Sequence, residues 1–211
     1  MRNILKFSTI ALMLIATAFP QGFKVKATGV QTFSFADKTG RNQATFFSST
    51  PLEDVTGLSN QVEGTATFDV SDITTLKGKI SIPTASLKTG IKLRDKHVRS
   101  SGWLDADSYP EISFVIKRVS DVQSLADNKL KAKVTGDFTV HGVTKEETAD
   151  VTLIYLDESE ETKMKAPGDL LSVVATFTIK LSEFNVSNMV LGKKVSDNID
   201  IKVTMVGTNA K

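Results

Sequence analysis

The dominant period along the chain is two. Val62, Gly64, Ala66, Phe68 and Val70 alternate with Glu63, Thr65, Thr67 and Asp69, and Ile80 and Ile82 alternate with Lys79 and Ser81. Ile112, Phe114 and Ile116 alternate with Ser113, Val115 and Lys117. Leu130, Ala132, Val134, Gly136, Phe138 and Val140 alternate with Lys131, Lys133, Thr135, Asp137 and Thr139. The pattern recurs in Ala149-Val151-Leu153-Tyr155, in Val173-Ala175-Phe177-Ile179-Leu181 and in Ile199-Ile201-Val203-Met205. Alternation of this kind predicts half-buried strands, because successive side chains of an extended chain point to opposite faces. A strand at Gln43–Ser49 brings the number to about eight, with Gln31–Phe35 as a candidate for a further short one; the class is all-β, an antiparallel barrel or sandwich.

Two segments break the period. Thr50-Pro51-Leu52-Glu53 has a capping hydroxyl, a proline at the first helical position and a glutamate three residues after the cap, which predicts a short helix through Val55 closed by Gly57. Thr89 to Ser100 loses alternation and places Asp95 four residues before Arg99, predicting a helical connection with an ion pair on its surface that ends near Gly102. Asp157–Asp169 reads as a solvated loop. No internal repeat or linker divides residues 19–211, which are expected to form one domain.

Residues 1–18, MRNILKFSTIALMLIATA, have a basic start at Arg2 and Lys6, an apolar run from Ile10 to Ala16 and a small-x-small end at Ala16-Thr17-Ala18. That is the form of a secretory signal peptide, and it predicts a periplasmic or secreted protein with no transmembrane segment after cleavage. Removal would take away two basic residues and no acid, leaving 24 basic against 24 acidic residues. Such a balance argues against nucleic acid as a partner. The chain has no cysteine, which excludes disulfides, thiolate metal sites and cysteine nucleophiles.

Period two gives parity without direction. Lys77, Lys79, Lys117, Lys131, Lys133, Lys180 and Lys202 occupy the polar parity, and there are no aromatic girdles of the kind a membrane barrel carries. A barrel in water with an apolar interior is therefore favoured. Inward positions include Gly64, Ala66, Gly78, Ala132, Gly136 and Ala175. Small residues there leave room for a cavity, but they also occur where strands bend or a lumen narrows, so an open and a filled interior both remain.

Leu87-Lys88-Thr89-Gly90, followed by Arg94-Asp95-Lys96-His97-Val98-Arg99-Ser100 and Trp103-Leu104-Asp105, resembles the Thr-Gly, Arg-Asp-x-His signature of the YceI-like family. Tyr109-Pro110-Glu111-Ile112-Ser113-Phe114, the Gly136 to Lys145 hairpin with His141-Gly142-Val143-Thr144, and Leu181-Ser182-Glu183-Phe184-Asn185-Val186 continue the resemblance in order. It spans roughly Val62 to the C-terminus. It departs at Gln43–Thr50, where the family's early strand carries a histidine and this chain has none. The resemblance implies an exported, lipocalin-like barrel that binds a polyisoprenoid or other long-chain amphiphile in its lumen and has no known catalytic role.

Candidate site residues follow from parity and resemblance together. Phe114, Ile116, Phe138, Val140, Val151, Leu153, Phe177, Ile179 and Val203 would form the lumen wall, with Trp103, His97 and Arg94 near its mouth. Trp103 either caps the lumen or packs the connection onto the sheet. His97 and His141, the only histidines, read first as structural residues bonded to backbone, with a head-group contact as the alternative for His97; two distant histidines without cysteine are a weak metal signal. Arg94, Asp95 and Arg99 either pin the connection or grip a head group. No Gly-x-Ser-x-Gly elbow, phosphate loop or His-Glu-x-x-His run is present, so no enzyme is expected. No cofactor is expected, with a polyisoprenoid, an isoprenoid quinone or a fatty amphiphile as the ligand. The sequence is compatible with a dimer. The alternative function is a solid-cored structural or protein-interaction barrel.

Overall fold

A computed structural model describes residues 21–210. The leader expected over residues 1–18 lies outside the described residues.

Among the described residues, ten strands make up one antiparallel sheet: β1 (Val30–Ser34), β2 (Gln43–Ser49), β3 (Asp54–Ser59), β4 (Glu63–Asp69), β5 (Asp72–Pro83), β6 (Glu111–Ala126), β7 (Lys129–Val140), β8 (Val143–Leu156), β9 (Leu170–Lys180) and β10 (Asn198–Thr208). The ladder runs β1-β4-β5-β6-β7-β8-β9-β10 and closes where β1 meets β10 at Ser34 and Thr208. The hairpin β2–β3 continues the same closure. Thr204 of β10 pairs with Gln43 and Asp200 pairs with Phe47, so β2 prolongs β1 along β10, and β3 prolongs β4 in the same way. The ten segments thus fill the eight positions of a closed barrel, and the sandwich is excluded.

The break between β1 and β2 is held by one buried side chain. Asn42 Nδ2 donates to the carbonyls of Phe35 (2.8 Å) and Val206 (3.2 Å), while its Oδ1 accepts from the Val206 N–H at 2.8 Å. Backbone groups freed where the ladder skips are satisfied this way rather than left dry.

The helix expected from Thr50 to Gly57 does not form. Thr50–Glu53 is the turn of the β2–β3 hairpin, and Val55, Thr56 and Leu58 pair with Ser48, Phe47 and Thr45. The capping chemistry is present but serves the turn: Thr50 Oγ1 accepts from the Leu52 and Glu53 N–H groups at 3.4 and 3.2 Å. A hydroxyl that can cap a helix can equally close a turn, and the β-branched residues that follow favour pairing.

The connection from β5 to β6 contains a 3-10 turn at Thr84–Ser86 and helix α1 (Lys92–Arg99). The expected Asp95–Arg99 ion pair is replaced by two separate anchors. Asp95 accepts from the Thr89 N–H (2.6 Å) and hydroxyl (2.7 Å), and these bonds hold its carboxyl below the ordinary carboxylate range. Arg99 donates instead to the backbone carbonyls of Asp95 (2.9 Å) and Ala85 (3.2 Å). Thr84 completes the attachment through Tyr109 and Pro110. In the solvated loop after β8, Ser159 and Thr162 form a capping box for the one-turn helix α2 (Glu160–Lys163).

The alternating apolar positions face inward and the lysines between them face out along most of the ladder, with a bulge after Ile116 in β6 shifting the parity so that Val119 is buried. One end of the barrel is plugged by aromatic rings. Phe33 stacks on Phe68 (centroids 5.8 Å) and meets Tyr155 edge-on (5.5 Å), and Phe23 closes against both Phe68 and Tyr155. At the other end, Phe138 packs edge-on against Phe177 (5.2 Å) and Phe184 (5.6 Å), beneath a 3-10 turn at Leu181–Phe184.

Candidate ligand-binding site

Between these two clusters the interior is open. A cavity of about 510 Å³ runs up the barrel to the end that carries α1 and the loop before β10, within the ~300–1,000 Å³ typical of ligand pockets. Burial along the strands records the same opening. Ile80, Phe114, Ile116, Phe177, Ile201 and Val203 sit at inward, mid-strand positions yet remain only half-buried, because they face the cavity rather than packed neighbours.

All twelve residues singled out in the sequence border this one cavity. Phe114 and Ile116 (β6), Phe138 and Val140 (β7), Val151 and Leu153 (β8), Phe177 and Ile179 (β9), and Val203 (β10) form the wall. Arg94, His97 and Trp103 stand at the open end. Trp103 borders the cavity and also packs against the cluster around Phe138 and Phe184. Arg94 pairs with Glu53, tying α1 to the β2–β3 turn. The wall is apolar apart from Thr45, Ser48, Ser81 and Ser113 along the strands and Glu53, Arg94, His97 and Lys194 at the mouth.

The two histidines part company. His97 is exposed at the mouth. His141 is in the hairpin β7–β8, where it and Gly142 have φ of 51° and 72°, the two-residue turn that matches strand twist and favours glycine at its second position. Its Nδ1 donates to the Phe184 carbonyl at 3.0 Å, and its ring meets Tyr109 edge-on at 4.9 Å. A carbonyl only accepts, so this bond places the ring proton on Nδ1. Among the described residues no cluster of His, Cys, Asp or Glu could hold a metal ion.

The small inward residues have different causes. Ala175 borders the cavity and leaves it room. Gly136 does not leave a gap, because the Phe114 ring lies across it.

Alternation alone did not single out several lining residues. Phe46 shares the inward parity of Ala44 and Ser48 on β2, a signal present in the sequence but short. Val190, Lys194 and Val195 come from the irregular loop before β10, where no period exists to reveal them. That loop is fastened to the barrel by Asn188, which donates to the Gly102 carbonyl, and by the Ser196 N–H, which donates to Ser48 Oγ.

The YceI-like domain family matches residues 25–207. The chain belongs to the YceI-like family. This YceI-like barrel is 30% identical to a UPF0312 protein of Pseudomonas fluorescens over 205 residues, 96% of this chain and 98% of that one. The crystal structure of Burkholderia cenocepacia BcnA superposes with a TM-score of 0.61 at 23% identity, covering 80% of this chain and 97% of BcnA. A polyisoprenoid binding domain from Saccharophagus degradans, implicated in plant cell wall breakdown, superposes with a TM-score of 0.59 at 13% identity, covering 87% of this chain and all of that domain. At these identities the two structures share the fold with this YceI-like barrel.

Proposed function

We propose that this YceI-like protein is an exported carrier that holds a long-chain amphiphile in its lumen for transport or storage, by burial and without covalent chemistry. The observation that carries this reading is the 510 Å³ apolar cavity closed at one end by aromatic rings and bordered by charge at the other. Such a shape fits a molecule with a greasy chain and one polar end. Each buried methylene contributes about 0.8 kcal/mol, so a five-carbon isoprene unit gains roughly 3–4 kcal/mol gross on leaving water. A polyisoprenoid or isoprenoid quinone suits the lumen for that reason, and the ligand named for the Saccharophagus domain supports the same class. Phe114, Ile116, Phe138, Val140, Val151, Leu153, Phe177, Ile179 and Val203 would contact the chain. Arg94, His97 and Lys194 would meet its polar end, with Trp103 beside them. Export to the periplasm or the medium rests on the leader pattern of residues 1–18.

The test is organic extraction of protein purified without detergent, followed by mass spectrometry. A prenyl or similar long-chain lipid is expected at close to one molecule per chain. Ala175→Trp, which fills the cavity from β9, should lose that lipid while keeping its circular dichroism spectrum. An empty extract from folded protein, or equal lipid in the filled variant, would contradict the carrier.

A further inference from the structure

Three separate segments meet at the mouth of the cavity, and each presents an apolar side chain to water. Leu52 on the β2–β3 turn is 76% exposed, Ile91 and Leu93 at the start of α1 are 51% and 63% exposed, and Met189 on the loop before β10 is 88% exposed. The Arg94–Glu53 ion pair joins the first two segments, and the Asn188 bond to Gly102 joins the third to the turn after α1. Single exposed apolar residues are ordinary on any protein surface, but a ring of them around an opening is not.

The charge between them is positive on balance: segments 50–54, 88–107 and 188–195 hold seven basic and five acidic residues. Lys88, Lys92, Lys96, Lys193 and Lys194 are exposed in the same segments. The acids there are Glu53, paired with Arg94, Asp54, which accepts from the Ser49 hydroxyl, Asp95, which accepts from Thr89, and Asp105 and Asp107 in the turn after α1. The closed end has the opposite bias. Its segments 21–29, 69–72, 126–129 and 157–169 hold eight acidic and five basic residues. A molecule polarised this way turns its mouth toward a negative surface and its plug away from it. Apolar side chains interleaved with lysines are the composition that seats a protein at the boundary between lipid head groups and acyl chains.

We infer that the mouth is a docking surface for an anionic lipid bilayer, with Leu52, Ile91, Leu93 and Met189 entering the interface and the lysines contacting head groups. Docking there would set the cavity opening against the acyl region, so that a chain could pass between membrane and lumen without crossing water. The docking stands independently of what fills the cavity; its purpose, ligand exchange, rests on the proposed function.

The experiment is co-sedimentation of the exported protein, without residues 1–18, with vesicles of phosphatidylcholine alone and of phosphatidylcholine with phosphatidylglycerol. Binding is expected to the anionic vesicles only and to weaken with salt. Leu93→Ser with Met189→Ser should reduce it, and Lys92→Gln with Lys96→Gln and Lys193→Gln should reduce it about tenfold or more. Both variants should keep the spectrum of the native fold and any co-purified lipid. The cavity-filling Ala175→Trp should keep vesicle binding and lose the lipid, which separates this surface from the carrier reading. Sedimentation no greater with anionic vesicles than with neutral ones would overturn the inference. So would unchanged binding by both mouth variants, or a mouth that engages only a protein partner.

Discussion

The Tyr155 hydroxyl donates to Asp169 Oδ2 at 2.6 Å, fastening the aromatic plug to the start of β9. Burial, the hydrogen bond to Asp169 and the charges of Asp169 and Asp157 push the phenol well above its ordinary range. A group whose folded pKa is raised keeps its contribution below the unfolded pKa and loses it as pH rises beyond. Stability from this residue is therefore constant through neutral pH and declines above about pH 10. Tyr155→Phe should cost about 1–2 kcal/mol at pH 7 and should flatten the alkaline decline relative to the parent protein. Urea unfolding of both proteins at pH 7 and pH 10.5 checks it.

His141 and His97 should respond differently to truncation. His141→Ala removes the bond to Phe184 and the contact with Tyr109 and puts a side chain less suited to positive φ at the turn; a loss of about 1–3 kcal/mol is expected. His97 is exposed and borders the mouth, so His97→Ala should change stability by less than about 0.5 kcal/mol. Thermal unfolding measures the first effect. Lipid retention in extracts should be kept by His141→Ala, whose side chain lies away from the cavity.

Gly136 offers a test of the wall itself. A β-carbon there would run into the Phe114 ring and the Val115 carbonyl. Gly136→Val should force Phe114 aside, destabilise by about 1–3 kcal/mol and lower the amount of lipid recovered per chain. Chemical denaturation and extraction of the same preparation give both quantities.

Trp103 is the sole tryptophan and borders the mouth, so intrinsic tryptophan fluorescence reports from that place alone. A long-chain amphiphile brominated near its polar end should quench it more strongly than one brominated near its far end. Equal quenching by the two would mean that the chain does not lie along the barrel.

Much of this architecture was legible in the sequence because a closed sheet repeats one rule. The nine strand residues of the wall, from Phe114 on β6 to Val203 on β10, follow from alternation, which needs no knowledge of which strand lies beside which, whereas Val190, Lys194 and Val195 do not. The Thr50–Glu53 turn reads as a helix start because its hydroxyl and proline are common to helix starts and to hairpins, and only pairing of Val55 with Ser48 decides between them. Asp95 and Arg99 have the spacing of a helical pair, but Thr89 offers Asp95 two short bonds that spacing cannot reveal. Period two also could not say whether the lumen is filled. That depends on where rings such as Phe114 settle, and on whether Ala175 faces space or a neighbour.

The most direct test of the central claim is a crystal structure of the protein purified with its lipid. Continuous elongated density is expected inside the barrel, bounded by Phe114, Ala175, Phe177 and Val203 and reaching toward Arg94, His97 and Lys194. A lumen in which those side chains turn inward and fill the space, with any lipid held only on the outer surface, would contradict the account.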